Sequence, residues 1–231
     1  MKRSSDKKPF STELSYVLGL VILTLGVALT KQADFGLSMV VAPAYLLSCA
    51  LQPILPFFTF GTAEYTLQAL LLVGMMIAIR RFRVSYLFSF VTAFVYGLLL
   101  DALLIPVGLL PVGSVWLRLV WFLAGQVCTA VGVAFFFHTY IAPEVYELVV
   151  MEFSKRWHWQ LHRCKIVYDC ISCAVAVAMS FAIFGLWHLE GVGLGTIYIA
   201  LTNGFVIGRI SKFLDARFTF RDSPPLRRFF E

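Results

Sequence analysis

Long apolar runs alternate with short polar segments along the whole chain. A membrane-spanning helix needs roughly 20 predominantly apolar residues, with a range of about 17 to 25. We interpret the first run as a retained span rather than a signal peptide, because no small-x-small cleavage site clearly follows it. The pattern predicts six spans, at residues 14–31, 62–79, 85–105, 115–137, 165–186 and 193–211.

Two further apolar segments are too short to cross a bilayer. Residues 36–52 are interrupted by Pro43, and residues 142–153 begin next to Pro143. At about 12 to 17 residues, each segment fits a re-entrant or interfacial helix better than a span. We expect the first segment on the outer side of the membrane and the second on the cytoplasmic side.

The chain also carries a weak internal repeat. Three short matches recur in the same order, pairing residues 26–28 with 132–134, 42–45 with 142–146, and 94–97 with 205–208. Each half holds three spans, and because three is odd, the second half must enter the membrane with the opposite orientation. The predicted fold is an all-α membrane protein with six transmembrane helices in two inverted three-helix repeats, each with one short re-entrant or interfacial helix. The repeats cover residues 14–112 and 113–213, between cytoplasmic tails at 1–13 and 214–231.

Composition and charge agree with a membrane protein and predict its orientation. Hydrophobic residues make up 60% of the 231 residues and charged residues 14%, which is outside the range of a soluble domain. Of the 19 lysines and arginines, all but Lys31 and Arg118 fall on the side of the termini, which the positive-inside rule assigns to the cytoplasm. The basic residues stand in short blocks between apolar runs, so we expect no nucleic-acid partner.

Several glycine-rich segments resemble those of a known family. They are Gly26-Val27-Ala28-Leu29, Ala33-Asp34-Phe35-Gly36-Leu37-Ser38 and Gly191-Val192-Gly193-Leu194-Gly195-Thr196-Ile197. With these segments, nearly the whole chain resembles the YczE/YyaS/YitT group of bacterial integral membrane proteins. The resemblance implies a multi-pass protein of the bacterial cytoplasmic (inner) membrane without an agreed biochemical activity, and it transfers no catalytic residue.

Ionisable residues inside spans are costly and each one is a functional hypothesis. Asp169 lies about four residues inside the predicted fifth span, and Arg209 lies near the cytoplasmic end of the sixth, so the two occupy a similar depth. We expect these two side chains to pair. Two interpretations stay open: a structural ion pair that clamps neighbouring helices, or a substrate or proton site that uses the Asp169 carboxylate.

Uncharged polar residues lie deeper in the predicted spans. Asn203 is near the middle of the sixth span, and Gln68 aligns with Asp169 in the repeat at an offset of 101 residues. Amide side chains at this depth either link helices or bind a ligand. We predict a central cavity between the halves, with Tyr168 at its wall, and the candidate substrate-binding residues are Gln68, Tyr168, Asp169, Asn203 and Arg209.

Other polar residues suggest weaker possibilities. Glu64, Asp101, Arg118 and Lys31 lie close to the outer ends of spans, where they are expected to form a second cluster or to extend toward the interface. Cys164, Cys170 and Cys173 are interpreted as small packing residues rather than metal ligands. We expect no metal and no cofactor, and because no nucleophile or metal constellation stands out, we do not expect an enzyme.

The repeat and the two Pro-broken short helices favour a small-solute transporter with a site at the repeat interface. The alternative is a membrane scaffold or substrate-binding subunit that transports nothing by itself and acts with a partner chain. The expected partners are the lipid bilayer, a small solute of unknown identity, and either a partner membrane protein or a second copy of the chain in a homo-oligomer.

Overall fold

The computed structural model describes residues 7–185 and 191–222. Within these residues the chain forms eight α-helices and one pair of short strands. In chain order the elements are β1 (Lys8–Ser11), α1 (Thr12–Ala33), α2 (Ala42–Leu51), α3 (Phe60–Ile79), α4 (Val84–Gly108), α5 (Val115–Phe136), α6 (Val145–Trp157), α7 (Leu161–Phe184), α8 (Leu194–Arg217) and β2 (Phe218–Arg221).

Six of these helices, α1, α3, α4, α5, α7 and α8, are long and apolar enough to cross a membrane. The chain is therefore a multi-pass membrane protein, and the six predicted spans are found as helices. Most boundaries lie within three residues of the prediction, and the two largest differences are in α7 and α8. Helix α7 begins at Leu161 rather than at residue 165, and α8 continues to Arg217. The predicted end of the fifth span, at residue 186, lies outside the described residues.

Helices α1 and α5 form the central pair of the bundle, and glycines bring their backbones together. A Cβ atom at Gly26 would lie 2.5 Å from the backbone nitrogen of Thr129, and one at Gly132 would lie 2.6 Å from that of Leu23. These distances leave no room for a side chain, which is typical of close helix pairs in membranes. The contact fixes the first half of the chain against the second.

The other helices pack around this pair. Helix α4 contacts α1 and α3, and α8 contacts α5 and α7. The two short helices fill the remaining gaps: α2 contacts α3 and α7, whereas α6 contacts α3, α4 and α7. Each short helix therefore touches both halves of the chain.

The two strands were not predicted from the sequence. β1 and β2 pair in parallel, with Phe10 opposite Phe220, and so join segments from the two ends of the chain. Phe10 also stacks on Phe135 at a ring-centroid distance of 5.8 Å. A four-residue strand whose partner is about 200 positions away leaves no local pattern to detect. We call the end of the bundle that carries β1 and β2 the terminal face, and the other end the opposite face.

Candidate functional site

Helix α6 begins inside the bundle rather than at its surface. Residues 142–150, which comprise the end of the loop after α5 and the first six residues of α6, are all buried. The backbone N–H of Val145 donates to Gln68 Oε1 at 2.9 Å, and Gln68 Nε2 donates to Glu144 Oε2 at 3.2 Å. Gln68 lies eight residues into α3, about 12 Å from the start of that helix. A side chain deep in α3 thus holds the first turn of α6.

A second contact ties α6 to α3 one turn earlier. The Tyr146 hydroxyl donates to Glu64 Oε2 at 2.9 Å, and both residues are almost completely buried. The other carboxylate oxygen, Glu64 Oε1, has no hydrogen-bond partner among the described residues. Glu64 therefore points into the protein with one carboxylate oxygen buried and unpartnered among the described residues.

The single lysine of this region lies on α7 between two carboxylates. Lys165 Nζ is 3.2 Å from Glu147 Oε1 and 3.1 Å from Asp169 Oδ1. It also lies 5.7 Å from the centre of the Tyr168 ring. Lys165 and Asp169 are four residues apart, so they share one face of the helix. Both side chains are buried, with relative exposures of 2% and 0%.

These contacts form what we call the central charge cluster, which consists of Glu64, Glu144, Glu147, Lys165 and Asp169. All five residues are at least 97% buried, and the cluster sets four carboxylates against one ammonium group. Burying a charge is expensive unless it is paired and hydrogen-bonded. Glu147 Oε2 and Asp169 Oδ2 nevertheless have no hydrogen-bond partner among the described residues. The cluster is therefore short of positive charge.

The excess of carboxylates changes the protonation of Glu144, which lies outside the six long helices. Burial raises the pKa of its carboxyl well above the usual value, and the nearby charges of Glu147 and Glu64 raise it further. The hydrogen bond from Gln68 acts in the opposite direction. The protonated form of Glu144 is favoured because desolvation and like charges both disfavour the ionised form.

A small cavity of about 10 Å³ lies beside the cluster, about the smallest volume that holds one water molecule. Two polar groups of residues that line it, the Tyr96 hydroxyl and Asn203 Oδ1, have no hydrogen-bond partner among the described residues. Its lining comes from both halves of the chain: Leu23, Val27, Ser38, Val40, Val41, Tyr96, Thr129, Val133, Glu144, Glu147, Lys165 and Asn203.

A larger pocket of about 330 Å³ opens near the opposite face. Lys31, Asp34 and Tyr45 are among its lining residues, together with the segment before α8. Leu37 lines this pocket and Ser38 lines the central cavity. The irregular segment before α2 therefore separates the two spaces.

The five predicted site residues have different positions. Asp169 belongs to the central charge cluster, Gln68 is bonded to it, Tyr168 lies beside Lys165, and Asn203 lines the cavity. Arg209 is elsewhere: its side chain is exposed, with the guanidinium carbon 4.7 Å from the centre of the Phe205 ring. The predicted Asp169–Arg209 pair is wrong, because Lys165, one turn away on the same helix, faces Asp169 instead.

Of the two alternatives for the outer polar residues, the second cluster does not form among the described residues. Arg118 pairs with Asp34 at 2.7 Å, and Asp101 accepts hydrogen bonds from the Thr59 hydroxyl at 2.6 Å and the Gly61 N–H at 2.9 Å. Glu64 joins the central charge cluster instead. Side chains at one depth are separated when their helices turn them toward different neighbours.

Sequence reasoning missed Glu144, Glu147, Lys165, Tyr96 and Tyr146. One signal was available, since Glu144 and Glu147 lie within four residues after Pro143 and interrupt a largely apolar segment. Lys165 begins the predicted fifth span and counts among the basic residues on the side of the termini, and its i, i+4 spacing from Asp169 places both on the same helix face.

No group of three or more histidine, cysteine, aspartate or glutamate side chains in residues 7–185 and 191–222 is arranged to hold a metal ion. In comparisons with known proteins, residues 10–212 match a family described as a family of unknown function, DUF6198. No curated protein and no solved structure matches the chain.

Proposed function

The chain belongs to the DUF6198 family, which has no known function, and from its buried site we propose that it is a proton-linked transporter of a small solute. The observation that carries this proposal is the imbalance of the central charge cluster, four buried carboxylates against Lys165. A cluster of this kind is stable in a low-dielectric interior only when protons or a bound cation supply the missing positive charge. Intramembrane acids that gain and lose protons are typical of pumps and transporters.

The inverted repeat is part of the same proposal. Packing of α2 on α3 and α7 has a counterpart in packing of α6 on α7 and α3, and the α4 contacts with α1 and α3 correspond to the α8 contacts with α5 and α7. The sequence matches connect the same pairs of helices. In transporters built from inverted repeats, the substrate site lies at the repeat interface near the membrane centre. The central cavity is lined by residues of both halves.

We further propose that α2 and α6 are re-entrant half-helices whose first turns meet near the membrane centre. The start of each is buried: Val41 and Ala42 at α2, and Glu144 and Val145 at α6. The segments before both helices line the central cavity. Irregular backbone at membrane depth is tolerated where it is buried in protein or lines a cavity, and the burial of these two segments supports the proposal. The pocket at the opposite face then provides an approach to the site from one side.

Orientation and location follow from charge. We place the terminal face in the cytoplasm because most basic residues lie outside the spans on that side, although Lys165 belongs to the core. The resemblance to the YczE/YyaS/YitT group supports a bacterial inner membrane. Neither point bears on what is transported.

A flux measurement tests the proposal directly. The purified chain is reconstituted into liposomes loaded with the pH-sensitive dye pyranine, and pools of amino acids, organic acids, amines and sugars are added outside. We expect at least one pool to change the internal pH beyond the change seen in protein-free liposomes. In Glu147→Gln and Asp169→Asn the pH change should fall at least about tenfold, because each substitution removes a carboxylate that can bind and release a proton.

The matched control is Glu152→Gln, which removes a carboxylate from the same short helix outside the central charge cluster. This variant should retain the flux. A solute that raises the thermal stability of the chain but produces no flux would favour the alternative, a binding subunit that needs a partner chain. Absence of both binding and flux for all pools would contradict the proposal.

A further inference from the structure

A second site lies at the terminal face, away from the central charge cluster. A pocket of about 250 Å³ lies between the loop that joins α3 to α4 and the last two turns of α6. Its lining residues are Ile79, Arg81, Arg83, Glu152, Lys155, Arg156 and His158. Four of these side chains are cationic at neutral pH, against one carboxylate.

That one carboxylate is already engaged. Glu152 Oε2 accepts a hydrogen bond from the Tyr86 hydroxyl at 3.0 Å, and Glu152 Oε1 lies 3.3 Å from Lys155 Nζ. Arg81, Arg83 and Arg156 have no ion pair among the described residues. The pocket thus presents several uncompensated positive charges to whatever occupies it.

The terminal position of α6 explains only part of this charge. Lys155 and Arg156 lie in its last turn, where cations interact favourably with the helix dipole. Arg81 and Arg83 lie in the loop between α3 and α4, so the dipole of α6 does not account for their presence in the pocket. They are two residues apart in this short loop, and both line the pocket. Two independent segments therefore bring basic groups to one pocket.

The surroundings place this pocket at the level of lipid headgroups. Trp157 and Trp159, which follow the basic residues of α6, are 57% and 53% exposed, and Phe82 between the two arginines is 64% exposed. Exposed aromatic residues at the ends of spans are typical of the membrane interface. Guanidinium groups bind phosphate oxygens in bidentate fashion, and basic pockets between helix ends bind phosphate-bearing headgroups.

We propose that this pocket binds a phosphate-bearing anion and so joins the α3–α4 loop to helix α6. The site is independent of the transport proposal, since none of its residues lies in the central charge cluster. Two sources supply this chemistry: the headgroup of an anionic phospholipid, and a soluble phosphate. The contact with α6 also gives the ligand a route to influence this helix, which carries Glu147 and directly follows Glu144.

The experiment measures thermal unfolding of the purified full chain in maltoside micelles during titration at constant ionic strength. The three additives are phosphatidylglycerol, phosphatidylcholine and sodium phosphate. We expect phosphatidylglycerol to raise the unfolding midpoint saturably, by about 5 °C or more, because a ligand that binds the native state stabilises it. Phosphatidylcholine, which carries no net charge, should give little change. An equal saturable rise with sodium phosphate alone would identify the soluble source.

Arg81→Gln/Arg83→Gln should weaken the apparent affinity for the effective additive by about tenfold or more. Arg209→Gln/Lys212→Gln is the matched control, since it removes two positive charges near the same face outside the pocket. Arg81→Lys/Arg83→Lys keeps both positive charges and should retain more of the affinity, which distinguishes a loss of charge from a folding defect. Equal weakening in the pocket and control variants, or no rise with either phosphate additive, would overturn the proposal.

Discussion

The two short helices, α2 and α6, differ in how their buried starts are stabilised. The first turn of α2 is closed by its own main chain, since the N–H groups of Val41 and Ala42 both donate to Ser38 O. The first turn of α6 relies on a distant side chain, because the Val145 N–H donates to Gln68 on α3. Helix α2 carries no charged residue, whereas α6 brings Glu147 to the cluster, and Glu144 precedes it.

This difference indicates that α2 has a structural role, whereas α6 positions the ionisable groups of the cluster. Helix α2 is a locally completed apolar unit, and the segment before it contributes the apolar residues Val40 and Val41 to the cavity wall. Helix α6 and the residue before it are instead held by side chains of α3, α4 and α7, and those side chains are ionisable or hydrogen-bonding. Loss of a partner should therefore matter much more around α6 than around α2.

Removal of the single ammonium group should have the largest effect. Lys165→Met leaves Glu147 and Asp169 without their common cation, and breaking a buried ion pair costs about 3 to 5 kcal/mol. We expect the free energy of unfolding to fall by that amount at neutral pH, as measured by equilibrium denaturation in mild micelles. The control Lys155→Met removes an exposed partner of Glu152 and should cost less than about 1 kcal/mol. Equal losses would show that the cluster is not desolvated.

The hydrogen bond between α6 and α3 should give the next effect. Tyr146→Phe removes the donor to Glu64 and leaves a buried oxygen without a partner, which costs about 1 to 3 kcal/mol. The double variant Tyr146→Phe/Glu64→Leu should recover part of that loss, since no buried polar group is then orphaned. A loss in the single variant that the double variant does not reduce would contradict the assigned contact.

Stability should also depend on pH through Glu144. The pKa of Glu144 is raised in the folded protein relative to the unfolded chain, where it is about 4.3. The stability that protonated Glu144 contributes is therefore fully present below about pH 4.3, and it is lost as the pH rises toward the folded pKa. The free energy of unfolding should therefore fall by up to about 1.4 kcal/mol per pH unit above that point. Glu144→Gln should flatten this slope in denaturation between pH 5 and 8. The control Glu152→Gln should leave the slope unchanged. An unchanged slope in Glu144→Gln would show that Glu144 does not cause the pH dependence of stability.

The smallest effect is expected in α2. The Ser48 hydroxyl donates to Tyr45 O within the same helix at 2.7 Å, so it ties α2 to no other element. Ser48→Ala should change the free energy of unfolding by only about 0.5 kcal/mol. If denaturation showed a loss as large as that of Tyr146→Phe, the contrast between a locally completed α2 and a partner-dependent α6 would not hold.

Much of the fold was predictable because it depends on local information. A run of apolar residues is recognised by its length alone, and Pro43 and Pro143 mark the starts of the two short helices. The strand pair could not be predicted, since β1 and β2 have no local pattern and meet only when the bundle brings the two ends together. The contact of Lys165 with Glu147 could not be predicted for the same reason, since it forms only when α6 packs on α7.

The sequence by itself determined the number of long helices, the two short ones between them and the depth of Gln68, Asp169 and Asn203. Only the tertiary structure decided which of these groups meet. Depth along a helix follows from counting residues, but the direction of a side chain depends on how each helix is rotated against its neighbours. That rotation turns Arg209 outward and directs Glu147 of α6 onto Lys165, because long-range packing of the two halves fixes it.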